Sequence, residues 1–262
     1  MLLAAIAALA GAAVQSATGF GFALVLSPAL FAAMDPVEAV TALLVLGLVL
    51  NLLVLFEGGR PEHVDWRALA PMLLAALPGL AAGAFALTRL SKEALQVAVG
   101  IAVIVAAAWQ LRQRRRVSPA EGPASDTAAQ PSSAAGRRPH LPPAAGLAVG
   151  FASGALTTSI SVSGPPIVLW LEARGVRPEE FRATLAASFL ALNLAGGAVL
   201  LGAEGTGALD AAAVAPLLAL VAAGYALGAL AFRRLDRERF FVLVLVLVAC
   251  TGAASVAAGL VG

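Results

Sequence analysis

The chain has 262 residues, of which 60% are hydrophobic and only 12% are charged, which is about half the charged fraction of a typical soluble domain. This composition excludes an ordinary soluble enzyme, because a soluble domain of this size needs a far more polar surface. The net charge of +2 comes from arginine clusters between long apolar stretches, a pattern typical of membrane topology signals and not of a nucleic-acid-binding face. We therefore predict a membrane protein that is embedded in the lipid bilayer and binds no nucleic acid.

Eight stretches of the chain contain no Asp, Glu, Lys or Arg. In chain order they are 1–34, 39–56, 68–88, 94–111, 141–171, 183–203, 211–232 and 240–262. Six of them have the length of one helix across a bilayer core of about 30 Å. The stretches 1–34 and 141–171 are too long for one upright helix, and polar residues and glycines interrupt both. Each is either one span with an unwound middle or a re-entrant hairpin.

The two halves of the chain resemble each other, as internal repeats do. A shift of 143 residues aligns Ser16 with Ser159 and Gly21 with Gly164, and a shift of 142 aligns Asn51 with Asn193. We predict a first membrane repeat over residues 1–111 and a second over residues 144–262. The segment 112–143 is rich in Pro, Ser, Ala and Gly, which predicts a disordered basic linker.

The distribution of Lys and Arg separates the two interpretations of the long stretches. If each is a simple span, Lys and Arg divide 8 against 9 between the two sides, whereas with two hairpins they divide 15 to 2. Cytoplasmic loops carry the excess of positive charge, so we predict an all-α polytopic protein of the bacterial inner membrane. It has two inverted repeats, each a re-entrant or broken helical hairpin plus three transmembrane helices. The side with 15 cations, here called the basic face, is then cytoplasmic and carries the linker, and both termini lie outside.

The interruptions of the two hairpins are the candidate substrate site. Broken helices of inverted repeats meet near the bilayer midplane in many transporters, and a helix N-terminus there attracts an anion. The residues that we expect to contact substrate are Gln15, Ser16, Thr18, Gly19, Gly21, Asn51, Thr157, Thr158, Ser159, Ser161, Ser163, Gly164, Pro165 and Asn193. The alternative is that the small residues only allow close helix packing and that the asparagines join helices.

Several kinds of site are missing from the sequence. No acidic or basic residue lies in the middle of a predicted span, which argues against a cation carrier and a built-in proton relay. We find no nucleophile–base pair and no cluster of metal ligands. We therefore expect no enzymatic activity, no cofactor and no metal. A small anion is the expected binding partner, and the sequence does not indicate an oligomeric state.

Several short motifs occur in a characteristic order. They are Gly19-Phe20-Gly21 followed by Ser27-Pro28, Gly150-Phe151-Ala152-Ser153-Gly154 followed by Ser163-Gly164-Pro165-Pro166, and Phe181-Arg182-Ala183-Thr184 leading to Asn193. In these motifs the chain resembles the TauE/SafE sulfite exporter family, also called the toluene sulfonate uptake permease family, over nearly its whole length apart from the linker.

The resemblance implies a transporter of a small sulfur-containing anion such as sulfite, sulfoacetate or a related organosulfonate. We expect export by alternating access, because each negative charge that leaves a cell with a negative interior gains about 2.3 kcal/mol per 100 mV. The alternatives are an importer of an organosulfonate or another small organic anion, and a membrane protein that transports nothing. Members of the family often have a glycine triplet where this chain has the bulkier Gly19-Phe20-Gly21-Phe22.

Overall fold

The regular structure of the chain is helical throughout the part that can be described. A computed structural model describes residues 2–57, 63–117, 142–204 and 211–234, with the isolated positions Ala253 and Ala257. The helices in these residues are α1 (Leu2–Thr18), α2 (Phe22–Ala33), α3 (Pro36–Glu57), α4 (Trp66–Arg89), α5 (Lys92–Val117), α6 (Pro143–Ile160), α7 (Gly164–Ala173), α8 (Pro178–Glu204) and α9 (Ala211–Arg234). The expectation of an all-α fold is confirmed for the residues described.

Helices α3, α4, α8 and α9 are long and apolar enough to cross a bilayer. Their candidate spans are Pro36–Phe56, Trp66–Arg89, Glu180–Ala203 and Ala211–Leu230, close to four of the predicted stretches. Helix α5 covers the predicted stretch 94–111 but is not among these four, and the predicted stretch 240–262 lies outside the described residues except for two positions. Helix α5 also continues to Val117, so it includes the first residues of the predicted linker 112–143. Residues 118–141 of that linker are not among the described residues.

The first long stretch is broken between α1 and α2. Residues 19–21 leave the helix, with Gly19 at φ 88° and Gly21 at φ 114°, values that glycine adopts readily and other residues rarely. Helix α2 then folds back along α1, since a Cβ atom on Gly11 would lie 3.0 Å from the carbonyl oxygen of Phe22 and 3.4 Å from Cβ of Val25. The two helices therefore form a packed hairpin.

The second long stretch is broken in the same way between α6 and α7. Residues 161–163 form the break, and Ser161 has φ 59°. The ring of Trp170 in α7 lies 3.3 Å from where a Cβ on Gly146 in α6 would be, so this pair also folds back on itself. Helix α7 extends past Glu172 to Ala173, which makes the returning arm longer than the predicted stretch that ends at Leu171.

Glycines join each hairpin to a long helix of the other half. In α4, Gly79 and Gly83 lie directly against the carbonyl oxygens of Phe151 and Ala155 in α6. In α9, Gly224 and Gly228 lie against those of Leu9 and Ala13 in α1. Small residues four apart allow two backbones to approach closely in membranes. Because residue numbers rise together in both contacts, α4 runs parallel to α6 and α9 runs parallel to α1.

Helices α3 and α8 pack against each other between these two pairs. Gly47 in α3 contacts Asn193 in α8, and Leu44 contacts Gly196. Residue numbers rise on one helix and fall on the other, so α3 and α8 are antiparallel. This central pair forms two sides of the cavity described next.

Candidate functional site

The two helix breaks meet at one small cavity. Its volume is about 40 Å³, which is room for about three water-sized groups. It is lined by Gln15, Phe20, Gly21, Phe22, Ala23, Leu24, Leu43, Gly47, Asn51, Ser161, Val162, Ser163, Gly164, Phe189 and Asn193. None of these lining residues is charged.

A chain of buried amides fixes the first break against α3. The side-chain nitrogen of Gln15 donates to Oδ1 of Asn51 at 2.9 Å, and Nδ2 of Asn51 donates to the carbonyl oxygen of Gly47 at 2.7 Å. The backbone N–H of Phe22 donates to Oε1 of Gln15 at 3.3 Å. These bonds hold the start of α2 at the cavity, and they show that Gln15 and Asn51 have structural partners.

The start of α2 still offers backbone donors. The first helical bond of α2 is made by the N–H of Val25 to the carbonyl oxygen of Gly21, so the N–H groups of Ala23 and Leu24 have no partner within the helix. Both residues line the cavity. The positive end of the helix dipole points the same way, which favours a negative ligand.

The start of α7 offers fewer backbone donors than the start of α2. Pro165 and Pro166 occupy the first turn of α7, and proline has no N–H group. Within the first turn of α7, Gly164 is therefore the residue left with a backbone N–H group to donate. Proline is common in a first helical turn, but each proline there removes one backbone N–H donor.

Two serine hydroxyls take the place of those donors. Ser163 is the N-cap of α7 but makes no side-chain capping bond. Ser161 and Ser163 are buried, at 8% and 6% exposure, and both line the cavity. Neither hydroxyl has a hydrogen bond to another described residue, so both are free to bind a ligand in the cavity.

Asn193 faces the cavity from α8. Its Nδ2 atom would lie 2.6 Å from a Cβ at position 47, so only glycine leaves room for it there. In contrast to its repeat-related partner Asn51, the amide of Asn193 makes no hydrogen bond to any residue that the structure describes. Asn51 is a buried structural amide, whereas Asn193 has its donors and its acceptor unused.

The other residues that the sequence analysis selected do not line this cavity. Most of their hydroxyls bond to backbone carbonyl oxygens, as serine and threonine commonly do in helices. Thr157 donates to Ser153, Ser159 to Ala155 and Thr158 to Leu80. The hydroxyl of Thr18 lies within hydrogen-bonding distance of the carbonyl oxygens of Val14 and Phe20. Ser16 and Gly19 contact Arg182, and Pro165 lies in a separate apolar groove. As substrate contacts, all of the selected residues remain predictions.

The sequence analysis missed the apolar wall of the cavity. Phe20 and Phe22 flank Gly21, and Phe189 lies one helical turn before Asn193. Leu43 and Gly47 precede Asn51 at intervals of four residues on α3, which places all three on one helix face. Counting back by four from each predicted asparagine would have found Phe189, Gly47 and Leu43.

An ion pair joins the two halves at the N-terminus of α4. Nη2 of Arg174 lies 3.0 Å from Oδ2 of Asp65, and the guanidinium stacks 5.0 Å from the ring centre of Trp170. Oδ1 of Asp65 also caps α4 by accepting from the N–H of Ala68. The N–H of Asp65 in turn donates to the hydroxyl of Thr184 at 3.0 Å. The loop before α4 is therefore bound to the loop that follows α7.

Comparison with known proteins identifies the family. Searches of curated proteins and of solved structures found no match. The family model described as "Sulfite exporter TauE/SafE" matches residues 3–255, which is nearly the whole chain. The matched residues include the elements that form the cavity, which are the two broken hairpins and the central helices α3 and α8. The chain therefore belongs to the TauE/SafE sulfite exporter family of membrane transport proteins.

Proposed function

We propose that this protein exports a small sulfur-containing oxyanion, such as sulfite or a small organosulfonate, by alternating access around the cavity between the two helix breaks. The observation that carries the proposal is a set of unused hydrogen-bond donors in a small cavity whose described lining residues are all uncharged. The hydroxyls of Ser161 and Ser163 and the amide of Asn193 all line it without a partner among the described residues. Ser161 and Ser163 are buried and Asn193 is partly buried, so their unused polar groups are available to a ligand in the cavity.

The donors suit an oxyanion. Hydroxyl, amide and backbone N–H groups donate to oxygen, and the N-terminus of α2 adds a positive dipole. The cavity of about 40 Å³ admits a group of a few oxygen atoms and no large organic body. Because the described residues that line it are all uncharged, the anion would be held there by neutral donors, and it would be able to leave as well as enter.

The arrangement of the helices supports two inverted repeats. Helix α1 packs parallel to α9, and α6 packs parallel to α4. If α4 and α9 correspond to each other, as the aligned pairs Gly79 with Gly224 and Gly83 with Gly228 indicate, the two contacts are the same contact made twice. Inverted repeats of this kind alternate by rocking one part against the other around a fixed site.

Export agrees with the energetics of an anion. In a cell with a negative interior, each negative charge that leaves gains about 2.3 kcal/mol per 100 mV, and a dianion gains about twice that. Outward movement therefore requires no coupling ion. Inward movement of the same anion would require one, and none of the described lining residues is acidic.

The proposal can be tested in proteoliposomes loaded with sulfite or methanesulfonate. We expect efflux that an imposed membrane potential accelerates and that a sodium gradient does not change. Ser163→Ala and Ser161→Gly should each reduce efflux about tenfold at low substrate concentration, since hydrogen bonds to charged groups contribute about 1.5–3 kcal/mol. Glycine is chosen at position 161 because it tolerates positive φ.

Thr88→Ala is the matched control, because it removes an exposed hydroxyl that bonds within its own helix. It should transport like the wild type. Uptake that depends on a sodium or proton gradient would support the importer instead. Folded protein that moves and binds none of these anions would contradict the proposal.

A further inference from the structure

Arg182 occupies a position next to the first break. Its Nη2 atom donates to the carbonyl oxygen of Ser16 at 3.1 Å. A Cβ atom on Gly19 would lie 3.7 Å from Cγ of Arg182 and 4.0 Å from its Nε. Ser16 follows the cavity residue Gln15, and Gly19 precedes the cavity residue Phe20. Arg182 therefore lies next to the cavity, against the segment that contains the first break.

The charge of Arg182 is not balanced by a carboxylate. Its bond to the carbonyl oxygen of Ser16 is the one hydrogen bond that it makes within the described residues, and no acidic side chain there pairs with it. Its Nε atom is buried and has no partner. Arginine has five N–H donors in a planar fork that matches an oxyanion in a bidentate manner. A partly buried guanidinium with most of its donors unused is well suited to bind an anion.

Arg182 also shares a helix face with the cavity residues of α8. Phe189 and Asn193 follow it by seven and eleven residues, and at 3.6 residues per turn both lie within about 20° of it around the helix. The rise of about 1.5 Å per residue places Phe189 about 10 Å and Asn193 about 16 Å further along the axis. Arg182 and two residues of the cavity lining therefore lie on one face of α8.

We propose that Arg182 captures the oxyanion at the mouth of the cavity on the basic face, and that the captured anion replaces the carbonyl oxygen of Ser16 as its partner. This inference rests on the function proposed above. It names a residue that contacts the anion before the anion enters the cavity. The buried Nε faces Gly19, so the fork becomes available for bidentate binding only when residues 19–21 move away. The anion therefore binds the open arrangement more strongly and shifts the population towards it.

The test compares Arg182→Gln, Arg182→Lys and the control Arg177→Gln in the same proteoliposomes. Arg177 is an exposed cation five residues earlier, so its variant removes the same charge without touching the break. We expect Arg182→Gln to raise the half-saturating concentration of sulfite or methanesulfonate on the basic face about tenfold or more. Arg182→Lys should recover only part of the loss, because an ammonium cannot bind in the bidentate manner. Arg177→Gln should behave like the wild type.

The side to which the anion is added separates capture from a general structural role. A variant that only destabilises the protein would change the half-saturating anion concentration whichever face the anion is added to, and it would lower the melting temperature. Capture by Arg182 predicts a change for the basic face alone, with an unchanged melting temperature. If Arg182→Gln saturates like the wild type while Ser163→Ala does not, the capture role is wrong and the proposed function stands. If the wild type transports no anion, both are wrong.

Discussion

The two asparagines that correspond in the repeats have different surroundings. Asn51 accepts a hydrogen bond from Gln15 and donates one to Gly47, and Gln15 in turn accepts from the N–H of Phe22. Asn193 lies on α8 with its amide against Gly47, and it bonds to none of the described residues. The first amide is needed to position the start of α2, and the second is available to a ligand.

We predict that Asn51→Leu lowers stability and that Asn193→Leu lowers anion affinity. Leucine has nearly the shape of asparagine but cannot accept from Gln15, so Asn51→Leu leaves a buried donor without a partner. The expected loss is about 0.6–2 kcal/mol, the range for hydrogen bonds between membrane helices. Asn193→Leu breaks no hydrogen bond and should keep the melting temperature of the wild type.

Thermal unfolding of the purified protein with and without methanesulfonate measures both effects. The Asn51 variant should melt earlier and still be stabilised by the anion, whereas the Asn193 variant should melt normally and respond little. Equal behaviour of the two variants would mean that the asparagines have the same role, contrary to the hydrogen bonds described here.

Sequence patterns could locate the cavity but not choose its lining. Glycines and serines at corresponding interruptions predict where both hairpins break, and Ser163, Gly164, Gly21 and Gln15 do line the cavity. They cannot tell Ser159 from Ser161, because the rotation of the last turn of α6 decides which hydroxyl faces inward. The αL conformation of Ser161 ends that helix, while Ser159 still bonds to the carbonyl oxygen of Ala155.

The helices themselves follow closely from the sequence. Runs without charge predict α3, α4, α8 and α9, and proline or glycine begins α6, α7 and α8 at their observed first residues. The partner of each helix could not be predicted, because contacts between the halves depend on which glycine faces which carbonyl oxygen. Gly83 and Gly197 both lie inside long apolar helices, yet of the two only Gly83 would bring a Cβ atom within 4 Å of another described helix.

We predict that Gly83→Ala destabilises the protein and that Gly197→Ala does not. A Cβ at position 83 would collide with the carbonyl oxygen of Ala155 and the hydroxyl of Thr158. Both belong to α6, so α4 and α6 would have to separate. Overpacking of this kind costs about 1–3 kcal/mol. A Cβ at position 197 meets nothing within 4 Å, and alanine favours helix over glycine by roughly 0.5–1 kcal/mol.

The melting temperatures of the two variants, measured in the same detergent, provide the comparison. Gly197→Ala should be unchanged or slightly more stable, while Gly83→Ala should melt several degrees lower. A Gly83→Ala protein as stable as the wild type would show that α4 and α6 do not approach as closely as their glycines indicate.

At the scale of the whole molecule, the ion pair between Arg174 and Asp65 bears on topology. Asp65 precedes α4, and the predicted linker follows α5. With α4 as a candidate span and the stretch 94–111 of α5 as a predicted one, two crossings separate Asp65 from the linker, and both lie on one side of the membrane. Arg174 lies 3.0 Å from Asp65 and must share that side too. Between the linker and Arg174 lie only α6 and α7. This supports the view, already favoured by the 15-to-2 division of cations, that these two helices make a hairpin with no net crossing.

We therefore predict that position 177 faces the cytoplasm. Arg177 is exposed in the loop between α7 and α8, and a hairpin returns that loop to the side of the linker. A simple span would place it on the opposite side. The experiment uses Arg177→Cys in a chain whose single cysteine, Cys250, is replaced by serine, with Ser132→Cys as the reference for the linker. A membrane-impermeant maleimide should label both cysteines in inside-out vesicles and neither in intact cells. Labelling of the Arg177 variant in intact cells, with the Ser132 variant protected, would mean that α6 and α7 cross the bilayer. The anion would then meet Arg182 from outside the cell, because the basic face would no longer be a single face of the protein.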